Sequence, residues 1–86
     1  MQNKIKLAET ETELVNGLFK PGGTADGHII KRTAHSLKIF YLGQEHTINR
    51  FGVCSTLSLK TGFRIAEDYC KDWTHDSRKD RVYRFK

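Results

Sequence analysis

The chain is poor in the features that would assign it quickly. Two cysteines, Cys54 and Cys70, are too few to staple a secreted domain of 86 residues. No apolar run approaches the roughly 20 residues of a bilayer span, and the opening "MQNKIKLAET" has no signal-peptide apolar core. A cytoplasmic protein with free thiols and no membrane is the expectation. Closely spaced metal ligands are missing as well: Cys70 and His75 are the nearest pair, and His28, His35 and His46 are scattered. Structural zinc wants ligands paired as in CxxC or HxxxH, so no metal is expected. The glycine-rich "PGGTADG" lacks the GK[ST] ending that puts a lysine on phosphates. With no paired-carboxylate site either, no cofactor is expected.

What the chain does have is positive charge, unevenly placed. Lys and Arg number 15 against 10 Asp and Glu, for a net +5. Glu9, Glu11 and Glu13 make the N-terminal part acidic, whereas residues 77–86 hold Arg78, Lys79, Arg81, Arg84 and Lys86 against Asp80. Clustered cations create a field that draws polyanions, although a basic run also serves as plain solvated surface.

Hydrophobic periodicity predicts one α+β domain over residues 1–86. "NKIKLAE" alternates as a half-buried strand does. Thr10 or Thr12 is placed to cap a short helix with Leu14, Val15 and Leu18 on its inner face, but Gly17 keeps a strand open over 10–19. "KPGGTADG" reads as a loop. From His28 to Phe51 three strands follow, "HIIKRTA", "LKIFYL" and "HTINRF", with turns near His35–Ser36 and Gly43. Their short connections require antiparallel pairing. Leu37, Ile39 and Tyr41 share one face; Lys38 and Phe40 share the other.

A small sheet needs a cover. Leu59, Phe63, Ala66, Cys70 and Trp73 recur at helical spacing, predicting a long C-terminal helix begun by Ser58 at its cap. The expected fold is therefore a small antiparallel sheet of three to four strands on one long C-terminal helix, with "RVYRF" as an edge strand.

A sheet backed by one helix can present its uncovered face to nucleic acid, since the DNA major groove admits strands as well as helices. Lys31, Arg32, Lys38, Asn49 and Arg50 are the candidate contacts on the strands, joined by Arg78, Lys79, Arg81 and Arg84 of the basic segment. Arg and Lys suit phosphates and guanine edges, Asn suits adenine. Duplex DNA is the expected partner.

The segment "FGVCSTLSLKTGFRIAEDYC" resembles part of the N-terminal arm-type DNA-binding domain of phage and island tyrosine integrases. Gly52, Leu57, Ser58, Leu59 and Ala66 coincide with that family's strand-end glycine and helix opening. The family's turn proline is replaced by Ser55, and no recombinase domain is present in the sequence. The resemblance implies a three-stranded sheet plus helix that reads DNA, here as a phage-encoded or mobile-element binding module.

Two other readings belong to different classes. The order helix, three strands, helix is similar to small bacterial toxin interferases, which implies an endoribonuclease using His35. The local "AHS" differs from that family's "GSH". An imidazole would serve as general acid or base, with Lys38 or Arg32 steadying the phosphorane charge. A cofactor-free chain this small also suits a protein-interaction module, such as a phage inhibitor of a host protein.

Overall fold

The structure is a computed structural model that describes residues 5–16, 25–78 and 81–86. Leu18, Pro21, Lys79 and most of the expected glycine-rich loop lie outside them.

Strands β1 (Leu7–Ala8), β2 (Gly27–Arg32), β3 (Ser36–Tyr41) and β4 (Gln44–Asn49) form one sheet in the order β1-β2-β3-β4. The three central predictions hold: β2, β3 and β4 pair antiparallel. β1 runs parallel to β2, so the sheet is mixed rather than antiparallel. Parallel neighbours need a crossover, and helix α1 (Glu11–Asn16) lies within it. Thr10 caps α1 by accepting from the Glu13 N–H at 3.1 Å, and the glutamates of the first turn favour the positive helix end. The helical alternative for residues 11–16 is the one realised. Its expected inner face is not: no residue of α1 is buried, and Val15 is 74% exposed.

Register decides which side chains share a face. Ile29 pairs with Ile39, but Lys31, not Ile30, pairs with Lys38, so Ile30 is the extra residue of a bulge. The bulge sets Lys31 on the outer face opposite Lys38 and carries Arg32 to the other face beside Leu37. Leu42 and Gly43 close the β3–β4 hairpin with φ of 54° and 85°, the left-handed pair of a type I′ turn.

Helix α2 (Leu59–Tyr69) begins at Ser58, whose hydroxyl accepts from the Thr61 N–H at 3.2 Å. It is neither as long nor as terminal as predicted. Cys70 is extended, Lys71 N–H donates to the Arg84 carbonyl at 2.7 Å, and the chain enters a hairpin of β5 (Asp72–Thr74) with β6 (Val82–Arg84). Trp73 therefore leaves the predicted helical stripe. The buried face is also rotated. Gly62, Ile65 and Ala66 are buried with Tyr69 partly so, while Leu59 and Phe63 are exposed. Small residues win this face because α2 runs close to the turn at Gly52. A Cβ on Gly62 would come within 2.6 Å of the Gly52 carbonyl oxygen.

Ile65 and Ala66 join Ile29, Leu37, Ile39 and Ile48 in one core, completed by Leu7, Cys54, Tyr83 and Phe85. Each buried isoleucine is worth about 1.5–3 kcal/mol. Tyr69 ties α2 to β1, accepting from the Leu7 N–H at 2.7 Å through its hydroxyl, and burial pushes that hydroxyl's pKa up. The C-terminal strand is sewn to the sheet end: Tyr83 N–H donates to the Arg50 carbonyl at 2.7 Å and Phe85 N–H to that of Ala34 at 3.4 Å. "RVYRF" is thus a strand, paired with β5 rather than lying on the edge of the main sheet. Both cysteines are free. No helix among the described residues is long and apolar enough to cross a membrane.

Candidate functional site

The predicted contact residues do not gather in one place. Lys31 and Lys38 face each other across β2–β3 on the outer sheet face, beside half-exposed Phe40. That face is not purely cationic. Lys38 Nζ lies 3.4 Å from Glu45, and a shallow cleft around Phe40 is rimmed by Glu9, Glu11 and Glu45. His28 is buried there against the Phe40 ring, centroids 5.5 Å apart. Arg32, opposite Leu37 in the register, is not aligned with them and donates to Glu9 at 2.9 Å.

Asn49 was expected to read adenine. Instead its side-chain oxygen accepts from the N–H groups of Phe51 and Val53, at 2.9 and 3.1 Å. A bidentate adenine contact needs that oxygen as acceptor. Asn49 instead builds the turn that follows β4, as an Asx side chain commonly does.

That turn carries Arg50, which stands beyond the end of the strand rather than on it. Its carbonyl is held by Tyr83, and its guanidinium lies over the Phe51 ring at 5.0 Å. Among the described residues no carboxylate pairs with it. Arg50 lines a groove of about 790 Å³ between the sheet end and the β5–β6 hairpin. Arg78, Arg84, His35, Phe51 and Trp73 line the same groove, together with Asp72 and Asp76. Neither outer-face lysine reaches it.

Two of the groove arginines have partners. Arg84 donates to Asp72 from Nε at 3.1 Å and from Nη2 at 2.5 Å. This fork holds the Asp72 carboxyl below the usual carboxylate range and raises Arg84, chiefly through the hydrogen bonds themselves. Arg78 is 3.9 Å from Asp76, whose oxygen is already engaged by the Arg78 backbone N–H at 2.8 Å. Such exposed pairs are screened by water and contribute little, so an incoming anion can compete for these arginines. Arg81 sits behind the groove: it pairs with Glu67 of α2 and lies over the Trp73 ring at 4.2 Å.

Trp73 and Phe51 were missed as site residues because Trp73 fitted the helical stripe. A legible signal existed in "DWT", a short β-prone run ahead of the expected strand "RVYRF", with which it pairs Trp73 to Tyr83.

A polar chain centred on a buried histidine lies elsewhere. His46 Nε2 faces the Tyr41 carbonyl at 2.9 Å, which only accepts, so Nε2 carries the proton. Nδ1 then accepts from the Thr56 hydroxyl at 2.6 Å, and the Cys54 thiol donates to Thr56 across 3.2 Å. With His46 and Cys54 both buried, this chain pins the 54–56 turn to the β3–β4 hairpin. Among the described residues no three His, Cys, Asp or Glu side chains are gathered as a metal site.

No protein-family model, curated protein or solved structure matches the chain.

Proposed function

We propose that this protein binds nucleic acid, with the groove between the sheet end and the β5–β6 hairpin as its contact surface. The observation that carries this reading is the convergence of Arg50, Arg78 and Arg84 with Phe51 and Trp73 in one concavity. Guanidinium groups suit phosphate oxygens, and aromatic rings beside them suit bases or sugars. A groove of this size also lies within the range of ligand-binding clefts. The outer sheet face is a secondary contact at most, because Glu45 pairs with Lys38 and Glu9 and Glu11 rim the neighbouring cleft. The net positive charge supports attraction at a distance.

Binding to labelled oligonucleotides across salt concentrations tests the reading. Three neutralised phosphates correspond to a log–log slope between about −2 and −3. Arg50→Ala is expected to weaken binding roughly tenfold, the size of one charge-assisted contact, and the double change Lys31→Ala with Lys38→Ala less than that. Absence of binding at low salt would overturn the proposal.

One observation favours a second reading: His35 lines the same groove as Arg50 and Arg84. An imidazole exchanging a proton beside two guanidinium groups is the arrangement an endoribonuclease needs. Lys38 and Arg32, the partners expected from the sequence, are not in the groove. Cleavage of RNA abolished by His35→Ala would establish this activity; intact RNA after prolonged incubation would remove it.

A further inference from the structure

Resting on the nucleic-acid reading of the same groove, we infer that the ligand is single-stranded, with one unpaired base stacked on the indole of Trp73. Trp73 is the sole tryptophan of the chain and is 42% exposed, whereas tryptophan is highly buried on average. It is held in place with only part of its surface covered. Glu67 on α2 grips Arg81, Arg81 lies over the indole at 4.2 Å, and the His75 ring meets it edge-on with centroids 5.0 Å apart. On the backbone side, β5 is paired to β6, which is hydrogen-bonded to the sheet through Tyr83 and Phe85. An aromatic plate fixed in this way loses little side-chain freedom when a base settles on it.

The surroundings distinguish one strand from two. In a duplex both faces of each base are already stacked, so an indole inside a concave groove finds only phosphates and sugars. In a single strand each base offers a free face, and stacking on aromatic side chains then supplies much of the affinity. Arg50 and Arg84 line the same groove as Trp73 and would take the phosphates flanking the stacked base. Glu67 and Arg81 are positioning residues for the indole and need not touch the ligand.

The intrinsic fluorescence of Trp73 reads the contact directly. The full chain is titrated with a short thymidylate strand, a uridylate strand, an abasic strand of the same length, and a duplex. Quenching by the thymidylate or uridylate strand is expected, the two distinguishing DNA from RNA as the source. The abasic strand keeps its phosphates, and should bind roughly tenfold or more weakly without quenching. Trp73→Phe should keep most of the affinity, while Trp73→Ala should lose roughly tenfold with its thermal transition retained. A duplex bound more tightly than either single strand, or an abasic strand bound as well as a natural one, overturns the single-strand inference and leaves nucleic-acid binding standing. Failure of every strand to bind overturns both.

Discussion

Asp72 grips Arg84 across the β5–β6 hairpin through two hydrogen bonds, 3.1 Å from Nε and 2.5 Å from Nη2. The two residues are directly opposed in the strand register, so the fork both closes the hairpin and masks a cation in the groove. Asp72→Asn removes the negative charge and frees Arg84 for phosphate. Binding to an oligonucleotide is expected to tighten roughly two- to fivefold, measured by fluorescence anisotropy at low salt. Weaker binding would show that the carboxylate orients Arg84 rather than competing with the ligand.

The same pair sets a pH dependence. The Asp72 carboxyl titrates below its ordinary range because Arg84 hydrogen-bonds its charged form. A depressed acid pKa contributes stability that is present above the unfolded value and lost as the pH falls through the native one. Denaturant midpoints should therefore decline toward acid in the wild type, and less steeply in Asp72→Asn. Both residues are exposed, so the difference should be small and should fade at high salt.

His46 is expected to matter for stability rather than binding. Its buried ring joins the Tyr41 carbonyl to the Thr56 hydroxyl. His46→Ala removes the ring partner of the Tyr41 carbonyl and of the Thr56 hydroxyl, leaving Thr56 only its contact with Cys54, and opens a cavity, which should cost about 2–4 kcal/mol in urea unfolding. Oligonucleotide affinity of the folded fraction should not change.

Gly62→Ala offers a test with opposing signs. Alanine favours a helix interior over glycine by about 1 kcal/mol. The added methyl, however, would meet the Gly52 carbonyl oxygen at 2.6 Å, and that oxygen belongs to backbone. A net loss of about 1–3 kcal/mol is expected, against a change within about 0.5 kcal/mol for exposed Lys60→Ala. A stabilised Gly62→Ala would mean that α2 does not lie against the Gly52 turn.

Leu42 occupies a left-handed position, φ 54°, with its side chain exposed. Asparagine tolerates that backbone far better than leucine and favours the type I′ turn when followed by glycine. Leu42→Asn should raise stability by about 0.5–1 kcal/mol, seen as a melting temperature higher by a few degrees.

The central meander was legible because its signals are local. Alternation in "LKIFYL" sorts Leu37 and Ile39 from Lys38 and Phe40 whatever lies around them, and Gly43 marks the hairpin turn. Ser58 was legible for the same reason, since a cap acts within one helical turn. The α2 face was not. Ranking by hydrophobicity chose Leu59 and Phe63, whereas the close approach to Gly52 favoured Gly62 and Ala66. Such an approach exists only when residues ten apart in the chain meet.

Composition, charge placement and the antiparallel run of β2, β3 and β4 were thus written in the amino acids, because each depends on neighbours a few residues away. The site was not. A single bulge at Ile30 exchanged the faces of Lys31 and Arg32, and an end to α2 at Tyr69 turned Trp73 from an expected core residue into a groove wall. Backbone bonds from Tyr83 and Phe85 then brought the C-terminal arginines beside Arg50. These outcomes depend on contacts between distant segments, and local periodicity carries no term for them.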